Sequence, residues 1–253
     1  MAYRDTIIAD SPAGYYRLDE SSGTAFADSS GNSNTLTLSA ATMISYLQSG
    51  LLTGDTNKAI SSNGSGPFTG TVASPPTTLT GGFTFEGWFN CTALPGSGAQ
   101  DGDFIYITAG SYSFYVKLSS TGTGQPLQIR TSFNSADAYI AGLIATNTRY
   151  FLTVVYDTNY LDVYIDNVRQ QHIARTKNYS GTITLFNFLG HATRMYNTKM
   201  DEFAYYTRAL TTDEIAKHYG YGNGSLIDPH GDSRPILRPR FNPTAQLIHR
   251  LGL

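Results

Sequence analysis

The 253-residue sequence contains a single cysteine, Cys91, and no long apolar run. One cysteine excludes an intrachain disulfide bond and a zinc site built from several thiolates. Because no stretch approaches about 18 consecutive apolar residues, we expect no membrane-spanning helix and no insertion into a membrane. The opening residues 1–5 lead into no apolar segment, so we expect no secretory signal peptide and synthesis in a cytoplasm.

Charged residues are also scarce, and the two signs nearly balance. They make up 14% of the chain, with a formal net charge of −2 and an isoelectric point near 6.2. A surface without excess charge has no general attraction for nucleic acid or for anionic lipids. We therefore do not expect nucleic acid as a partner.

Aromatic residues and glycine are abundant instead, with 18 Tyr, 13 Phe and 25 Gly. Short segments with period-two alternation, such as residues 83–89 and 112–118, are separated by turn residues. Residues 150–156 and 160–166 are predicted to form a β-hairpin in which Leu161, Val163 and Ile165 share one face. Since no helix is predicted between these strands, the pattern indicates an all-β fold of two packed antiparallel sheets.

One short helix is predicted near the C-terminal end of this pattern. Thr211 and Glu214 have the spacing of a capping box, Ile215 begins an apolar face, and Gly220 can end a helix. These signals predict a helix over residues 212–219. Residues 61–82, in contrast, are rich in Ser, Gly, Thr and Pro and are predicted to form a long loop.

Four segments of the chain stand out as motifs, in this order. They are residues 8–20 (IADSPAGYYRLDE), 28–34 (DSSGNSN), 83–89 (FTFEGWF) and 200–219, where MDEFAYYTRALT is followed by IAKHY. Together they resemble the laminin G-like (LamG, concanavalin A-like) family. The resemblance implies a jelly-roll sandwich, assigned to residues 1–222, followed by an extended arm over residues 223–253. The opening motif is also similar to bacteriophage minor tail and other virion proteins, which implies location in a virion.

The resemblance also implies a bound calcium ion, held by residues 28–34 together with the aspartate of the D-E pair. Ca²⁺ prefers hard oxygen ligands from carboxylates, amides and carbonyls. The candidate ligands are Asp28, Asn32, Asn34 and Asp201. The alternative is that residues 28–31 only form an Asx-type turn, while Asp201 and Glu202 accept hydrogen bonds from the backbone.

Catalytic patterns are missing from the sequence. Glucanases on this fold carry two or three carboxylates on one strand, whereas the glutamates here form no E-x-D-x-x-E arrangement. The five histidines are scattered, with no i,i+4 pair of the kind that binds a metal on a helix. We therefore predict a non-enzymatic protein, with a glycoside hydrolase as a remote alternative.

Glycan binding is a further activity that the resemblance implies. Sugars stack on exposed aromatic rings and hydrogen-bond to polar side chains. The alternative is that tyrosines alternating within strands belong to the core or to the sheet surface. The candidate glycan-binding residues are Asp137, Tyr139, His191, Arg194 and Tyr196.

The C-terminal segment 225–253 combines prolines, arginines and apolar residues. Proline discourages helices and central strands, and it reduces the conformational entropy that is lost on ordering. We interpret this segment as an arm that docks on another virion protein, with a frayed C-terminus as the alternative. The candidate docking residues are Arg234, Arg238, Arg240, Phe241, Leu247, Ile248 and Leu251.

Two functions of different classes follow from the sequence. The first is a structural protein of a bacteriophage virion, either a minor tail or a capsid-decorating subunit, whose lectin-like domain adsorbs to host surface glycans. The second is a stand-alone carbohydrate-binding module. The sequence leaves open whether the chain forms a homo-oligomer.

Overall fold

The structure is a computed structural model that describes residues 2–63, 67–93, 100–109, 112–120, 127–133, 136–174, 182–189, 193–194 and 197–226. Within these residues the α-helices are α1 (Tyr3–Ala9) and α2 (Thr212–Asn223), and a short 3-10 helix spans Ala41–Met43. No described helix has the length and apolar character needed to cross a membrane.

The described strands follow in chain order. The first nine are β1 (Gly14–Tyr16), β2 (Ala25–Phe26), β3 (Leu36–Leu38), β4 (Ile44–Ser49), β5 (Lys58–Ser62), β6 (Pro67–Phe68), β7 (Gly70–Val72), β8 (Phe83–Cys91) and β9 (Gln100–Ala109). The others are β10 (Tyr112–Ser120), β11 (Leu127–Phe133), β12 (Ala136–Ile144), β13 (Arg149–Tyr156), β14 (Tyr160–Ile165), β15 (Val168–Ala174), β16 (Ile183–Phe188), β17 (Thr193–Arg194) and β18 (Thr198–Tyr206).

Sixteen of the 18 described strands form two antiparallel sheets of eight strands each. The first sheet has the order β15-β14-β13-β8-β18-β5-β4, and β1 also pairs with β18. The second sheet has the order β12-β11-β10-β9-β16-β7-β3-β2, while β17 and β6 form a separate two-stranded pair. The predicted all-β fold of two antiparallel sheets with one C-terminal helix is therefore confirmed.

The main core lies between the two sheets and is built from alternating aromatic residues. In β8, Phe83, Phe85 and Phe89 point inward, because successive side chains of a strand face opposite sides. Phe85 packs on Phe104 of β9 and on Phe188 of β16, with ring centroids 6.2 Å and 5.7 Å apart. Burying one such side chain contributes roughly 1.5–3 kcal/mol, so these contacts join the sheets.

The outer face of the first sheet is also buried, beneath α1 and α2. Trp88 of β8 points outward, where it contacts Phe151 at 5.0 Å and Tyr219 of α2 at 6.0 Å between ring centroids. Its indole Nε1 donates a hydrogen bond to the Tyr3 hydroxyl of α1 at 3.2 Å. A Cβ at Gly222 would lie 2.4 Å from the Trp88 ring, so α2 needs glycine there to approach the sheet. Helix α1 contributes Tyr3 and Ile7 to this second core, and the sequence gives no signal that predicts this helix.

Two predicted boundaries were wrong. The capping box of α2 is present, but the helix runs to Asn223 rather than ending at residue 219. Glycine in a helix costs about 1 kcal/mol relative to alanine, and the packing of Gly222 on Trp88 offsets this cost. The predicted loop 61–82 contains β6 and β7, and a Cβ at Gly70 would lie 1.7 Å from the Phe188 carbonyl oxygen. Glycine there permits the close approach of β7 to β16, rather than marking a loop.

The predicted hairpin is confirmed as β13 and β14. Asp157 Oδ1 accepts hydrogen bonds from the backbone N–H groups of Asn159 and Tyr160, at 2.9 Å and 2.6 Å. Thr158 has a φ of 79°, in the left-handed region, so the aspartate stabilises a turn that a β-branched residue rarely adopts.

Candidate functional site

A polar cleft opens where the start of α1, the segment after β1 and the segment before β5 meet. Its volume is about 450 Å³. The residues that line it are Ala2, Arg4, Asp5, Arg17, Asp19, Asp55, Thr56, Asn57 and Lys58. We refer to these nine residues as the polar cleft. Concave sites with convergent polar groups are where small ligands bind, so this cleft is the candidate site.

Beneath the polar cleft lies a pair of buried carboxylates, Asp201 and Glu202 of β18. The pairing of β18 with β8 shifts register between Asp201 and Ala204, and Glu202 has a φ of 54°. Such a β-bulge redirects a side chain. Both carboxylates consequently reach Asn57, although neighbouring side chains of a regular strand face opposite sides.

The carboxylate pair is held by hydrogen bonds from several elements. Asp201 Oδ2 accepts from the backbone N–H of Leu51 at 2.6 Å. Glu202 Oε1 accepts from Arg17 Nε at 3.2 Å, and Glu202 Oε2 accepts from the Tyr15 hydroxyl. The motif around Arg17 and the D-E motif are therefore joined at the floor of the cleft, although Arg17 and Glu202 are 185 residues apart in the chain.

Burial sets the electrostatics of this pair. Removal from water raises the pKa of Asp201, and the neighbouring Glu202 raises it further. Burial also raises the pKa of Glu202 to about 7, although Tyr15 and Arg17 oppose this change. The floor of the cleft therefore favours protons or other positive charge.

Asn57 connects the buried pair with the cleft. Its Nδ2 donates to the Arg17 carbonyl at 3.2 Å, to Asp201 Oδ1 at 3.2 Å and to Glu202 Oε1 at 2.9 Å. Because these three partners are all acceptors, the side-chain nitrogen of Asn57 must face them, and its side-chain oxygen must face away. Asn57 is only 8% exposed. Its side-chain oxygen Oδ1 has no hydrogen-bond partner among the described residues. An unsatisfied buried acceptor costs about 1–3 kcal/mol, which a donor from a ligand would recover.

A second buried polar cluster lies between α2 and the first sheet. His218 is 0% exposed. Its Nε2 is 2.8 Å from Asp10 Oδ2, and its Nδ1 is 2.9 Å from Glu86 Oε1. Burial alone would lower the pKa of His218, but Glu86 and Asp10 outweigh it and raise the pKa to about 9. The histidine is thus charged at neutral pH and ties α2 to the sheet.

The four predicted calcium ligands have different hydrogen-bond partners in the structure. Asp28 accepts hydrogen bonds from the backbone N–H groups of Tyr15 and Asn34, at 3.0 Å and 2.8 Å. Asn32 and Asn34 lie close by and donate to the carbonyls of residues 12 and 13. Asp201 instead belongs to the carboxylate pair with Glu202 and Asn57. Across the part of the chain that is described, no three His, Cys, Asp or Glu side chains are placed to hold a metal.

Calcium binding stays a prediction, and thermal unfolding decides it. If calcium links residues 28–34 to Asp201, the melting temperature falls in EDTA and recovers in excess CaCl₂. An unchanged melting temperature would contradict calcium binding. Asp28 would then only stabilise the turn through its hydrogen bonds to the backbone.

The remaining predicted site residues fall largely outside the described structure. For Asp137 and Tyr139 in β12 and for Arg194 in β17, the strands are described but the side chains are not. His191, Tyr196 and the predicted docking residues of the C-terminal arm lie outside the described residues altogether. Their proposed roles stay predictions.

The structure shows one exposed aromatic surface that the sequence analysis missed. Tyr160 of β14 stacks on His172 of β15, with ring centroids 4.1 Å apart and an interplanar angle of 17°. His172 Nδ1 is 2.6 Å from Asp162 Oδ1. The pairing of Asp162 with His172 across β14 and β15 places them together, a register that sequence alone does not reveal. This Tyr160–His172 surface is the alternative binding site against which the polar cleft is tested.

The fold is that of a lectin-like jelly-roll domain. The chain belongs to the laminin G-like family of the concanavalin A-like lectin/glucanases superfamily, whose family model matches residues 63–216, more than half of the chain. The predicted family resemblance is therefore confirmed. No curated protein matches the chain by sequence.

Solved structures show the same fold at low sequence identity. The binding domain of Paraclostridial mosquitocidal protein 1 has a TM-score of 0.61 at 15% identity, over 84% of this chain and 52% of that chain. The botulinum neurotoxin serotype D binding domain in complex with N-acetylneuraminic acid has a TM-score of 0.59 at 12% identity, over 86% and 52%. Trypanosoma rangeli sialidase has a TM-score of 0.59 at 12% identity, over 86% and 33%. The chain thus spans about half of the toxin domains and a third of the sialidase.

Proposed function

We propose that this chain is a non-enzymatic, glycan-binding domain whose sugar site is the polar cleft. The observation that carries the proposal is Asn57, whose buried Oδ1 lacks a hydrogen-bond partner within the described residues at the floor of a cleft of about 450 Å³. Hydroxyl groups of a sugar are suitable donors for such an acceptor. The likeness in fold to a toxin domain solved with N-acetylneuraminic acid supports a sugar as the class of ligand.

The absence of catalysis is part of the proposal. Glycoside hydrolysis uses two carboxyl groups that flank the scissile bond. Glu86, Asp201 and Glu202 are all fully or almost fully buried, and each is engaged by neighbouring side chains or backbone. We infer that carboxylates with these contacts support the fold rather than act on a glycosidic bond.

Substitutions at the rim of the cleft test the site. We expect Lys58→Ala and Asp19→Asn each to weaken glycan binding about three- to tenfold, because each removes a polar partner from a cleft that stays folded. Binding is measured by titration calorimetry with a sugar first identified on an array of bacterial surface glycans. Arg169→Ala, which removes an exposed cation on β15, is the matched control and leaves affinity unchanged. Loss of binding in Tyr160→Ala with normal binding in the cleft variants would contradict the assignment to the cleft.

We further propose that the domain is displayed on a bacteriophage particle, as a minor tail or capsid-decorating subunit. The support is the opening motif of residues 8–20 and the proline, arginine and apolar residues of segment 225–253. An arm of this composition suits docking on a neighbouring virion protein, with its arginines paired to carboxylates. In this setting the polar cleft would bind host surface glycans.

Truncation tests the display proposal. Removing residues 227–253 preserves α2 and the backbone hydrogen bond from Leu226 to Gly220. We expect the truncated chain to unfold at the same temperature as the full chain but to be missing from purified particles. Mass spectrometry of particles from phage carrying either version measures this. Stoichiometric incorporation of the truncated chain would refute the docking role, and absence of the full chain from particles would favour the stand-alone carbohydrate-binding module.

A further inference from the structure

Arg17 is the cation that contacts the buried carboxylate pair beneath the polar cleft. The ionisable side chains that line the cleft cancel in number, with Arg4, Arg17 and Lys58 against Asp5, Asp19 and Asp55. Asp201 and Glu202 lie directly beneath, and burial raises the pKa of both, so a positive charge close to them is favourable. Arg17 is already engaged, with its Nε 3.2 Å from Glu202 Oε1 and its Nη2 3.8 Å from Asp55 Oδ1. The cleft floor therefore favours a further positive charge.

The groups that converge on the floor are hydrogen-bond acceptors. Asn57 Oδ1 is buried and has no partner within the described residues, while its Nδ2 is committed to three acceptors. The Asp55 carboxylate contacts the same residue through its backbone, accepting the Asn57 N–H at 2.8 Å. A carbonyl oxygen and an ionised carboxylate accept but never donate. A ligand group that satisfies both must be a donor, and a positively charged donor makes the stronger bonds.

We infer that the polar cleft selects a sugar with a free ammonium group, an amino sugar that is not N-acetylated, by placing that ammonium between Asn57 Oδ1 and Asp55. The inference rests on the proposed glycan-binding function of the cleft. Burial raises the pKa of both Asp201 and Glu202, and a positive charge held above them in the cleft offsets part of this cost of burial. An ammonium group provides charge and three N–H donors, and its sugar ring provides the hydroxyls for the rim.

Other ligand classes fit this constellation less well. A divalent metal ion gains most from several acidic side chains at once, and the described part of the chain has no group of three His, Cys, Asp or Glu residues placed to hold one. An acidic sugar would bring its carboxylate towards Asp55, where like charges repel. N-acetylation removes the charge of the amino group and two of its donors. The neutral amide would thus lose the charge-assisted hydrogen bonds.

Titration calorimetry with three probes tests the inference. They are a tetramer of β-1,4-linked glucosamine, the same tetramer fully N-acetylated, and N-acetylneuraminic acid, all at pH 6 and low ionic strength. We expect the glucosamine tetramer to bind at least tenfold more tightly than either other probe, the size typical of one hydrogen bond to a charged group. Its affinity should also fall as salt rises.

Variants of the full chain localise the effect. Asp55→Asn retains an acceptor for the Asn57 backbone N–H but removes the charge. We therefore expect it to weaken binding of the glucosamine tetramer about tenfold. Asp213→Asn, an exposed aspartate in the first turn of α2, is the matched control and leaves affinity unchanged. Equal losses in both variants would indicate general attraction of a polycation and would overturn the inference.

The outcomes also separate this inference from the proposed function. Equal or tighter binding of the N-acetylated tetramer or of N-acetylneuraminic acid, sensitive to Lys58→Ala, would overturn the ammonium selectivity and keep the cleft as a glycan site. Silence of all three probes, together with silence across an array of bacterial surface glycans, would overturn both.

Discussion

Replacing His218 with alanine is expected to lower the free energy of unfolding by about 3–5 kcal/mol. The imidazolium lies between Glu86 and Asp10, and it is 0% exposed. Its removal leaves the Glu86 carboxylate buried, with the Tyr206 hydroxyl at 2.9 Å as the donor that remains in the described structure. A buried charge that has lost its partner is far more destabilising than a lost contact. Urea unfolding followed by the fluorescence of Trp88, the single tryptophan, measures the change.

His172 provides the matched control for this prediction. Its side chain is 43% exposed and pairs with Asp162 at 2.6 Å, and exposed ion pairs contribute only about 0–1 kcal/mol. We expect His172→Ala to fall in that range. Adding Glu86→Gln to His218→Ala should restore part of the loss, because it removes the uncompensated charge. If His218→Ala were no more destabilising than His172→Ala, the buried ion pair would not hold α2 on the sheet.

Stability is expected to be greatest near pH 5 and to decrease by about 3 kcal/mol or more towards pH 9. The pKa of Glu202 is raised from 4.5 to about 7, so the folded state holds a proton that the unfolded chain releases, and stability falls as pH rises through this range. The pKa of His218 is raised from 6.5 to about 9, so its contribution is complete below pH 6.5 and is lost towards pH 9. Both groups act in the same direction.

The acid side of the profile has the opposite slope. Arg208 and the capping hydrogen bonds of Thr211 lower the pKa of Glu214 from 4.5 to about 2. The stability that this carboxylate contributes is present above pH 4.5 and is lost as pH falls towards 2. Urea midpoints at pH 3, 5, 7 and 9 measure the whole profile. Glu202→Gln should flatten the segment between pH 5 and 7. Stability that stays constant or rises from pH 5 to 9 would contradict the assignment of both raised pKa values.

Local signals in the sequence predict the elements that depend on neighbours along the chain. The hairpin of β13 and β14 follows from alternation and from the Asp157 turn. The start of α2 follows from Thr211 and Glu214, whose side chains and backbone groups bond reciprocally as the capping box requires. Such features are encoded within a few residues and need no knowledge of tertiary packing.

Features that depend on tertiary packing are those that sequence reasoning misses. Gly70 and Gly222 look like breakers of regular structure, yet each permits a close approach, to Phe188 and to Trp88 respectively. Helix α1 is short and has no side-chain cap, so its stability comes from burying Tyr3 and Ile7 against the first sheet rather than from a local signal.

The candidate site also depends on tertiary packing more than on local signals in the sequence. The D-E motif draws attention to Asp201 and Glu202, but regular alternation would separate them, and only the β-bulge in β18 brings them together. Asn57 lies in a segment without periodicity, and nothing local to it indicates that it contacts residues about 145 positions away. Its role depends on strand pairing between distant parts of the chain.

The central claim is that the polar cleft holds a sugar against Asn57. A crystal structure of the chain bound to its best glycan ligand tests it most directly. We predict that the sugar occupies the cleft, with a donor atom about 2.7–3.2 Å from Asn57 Oδ1. A sugar bound instead over the Tyr160–His172 surface, with Asn57 Oδ1 contacting only water, would contradict it.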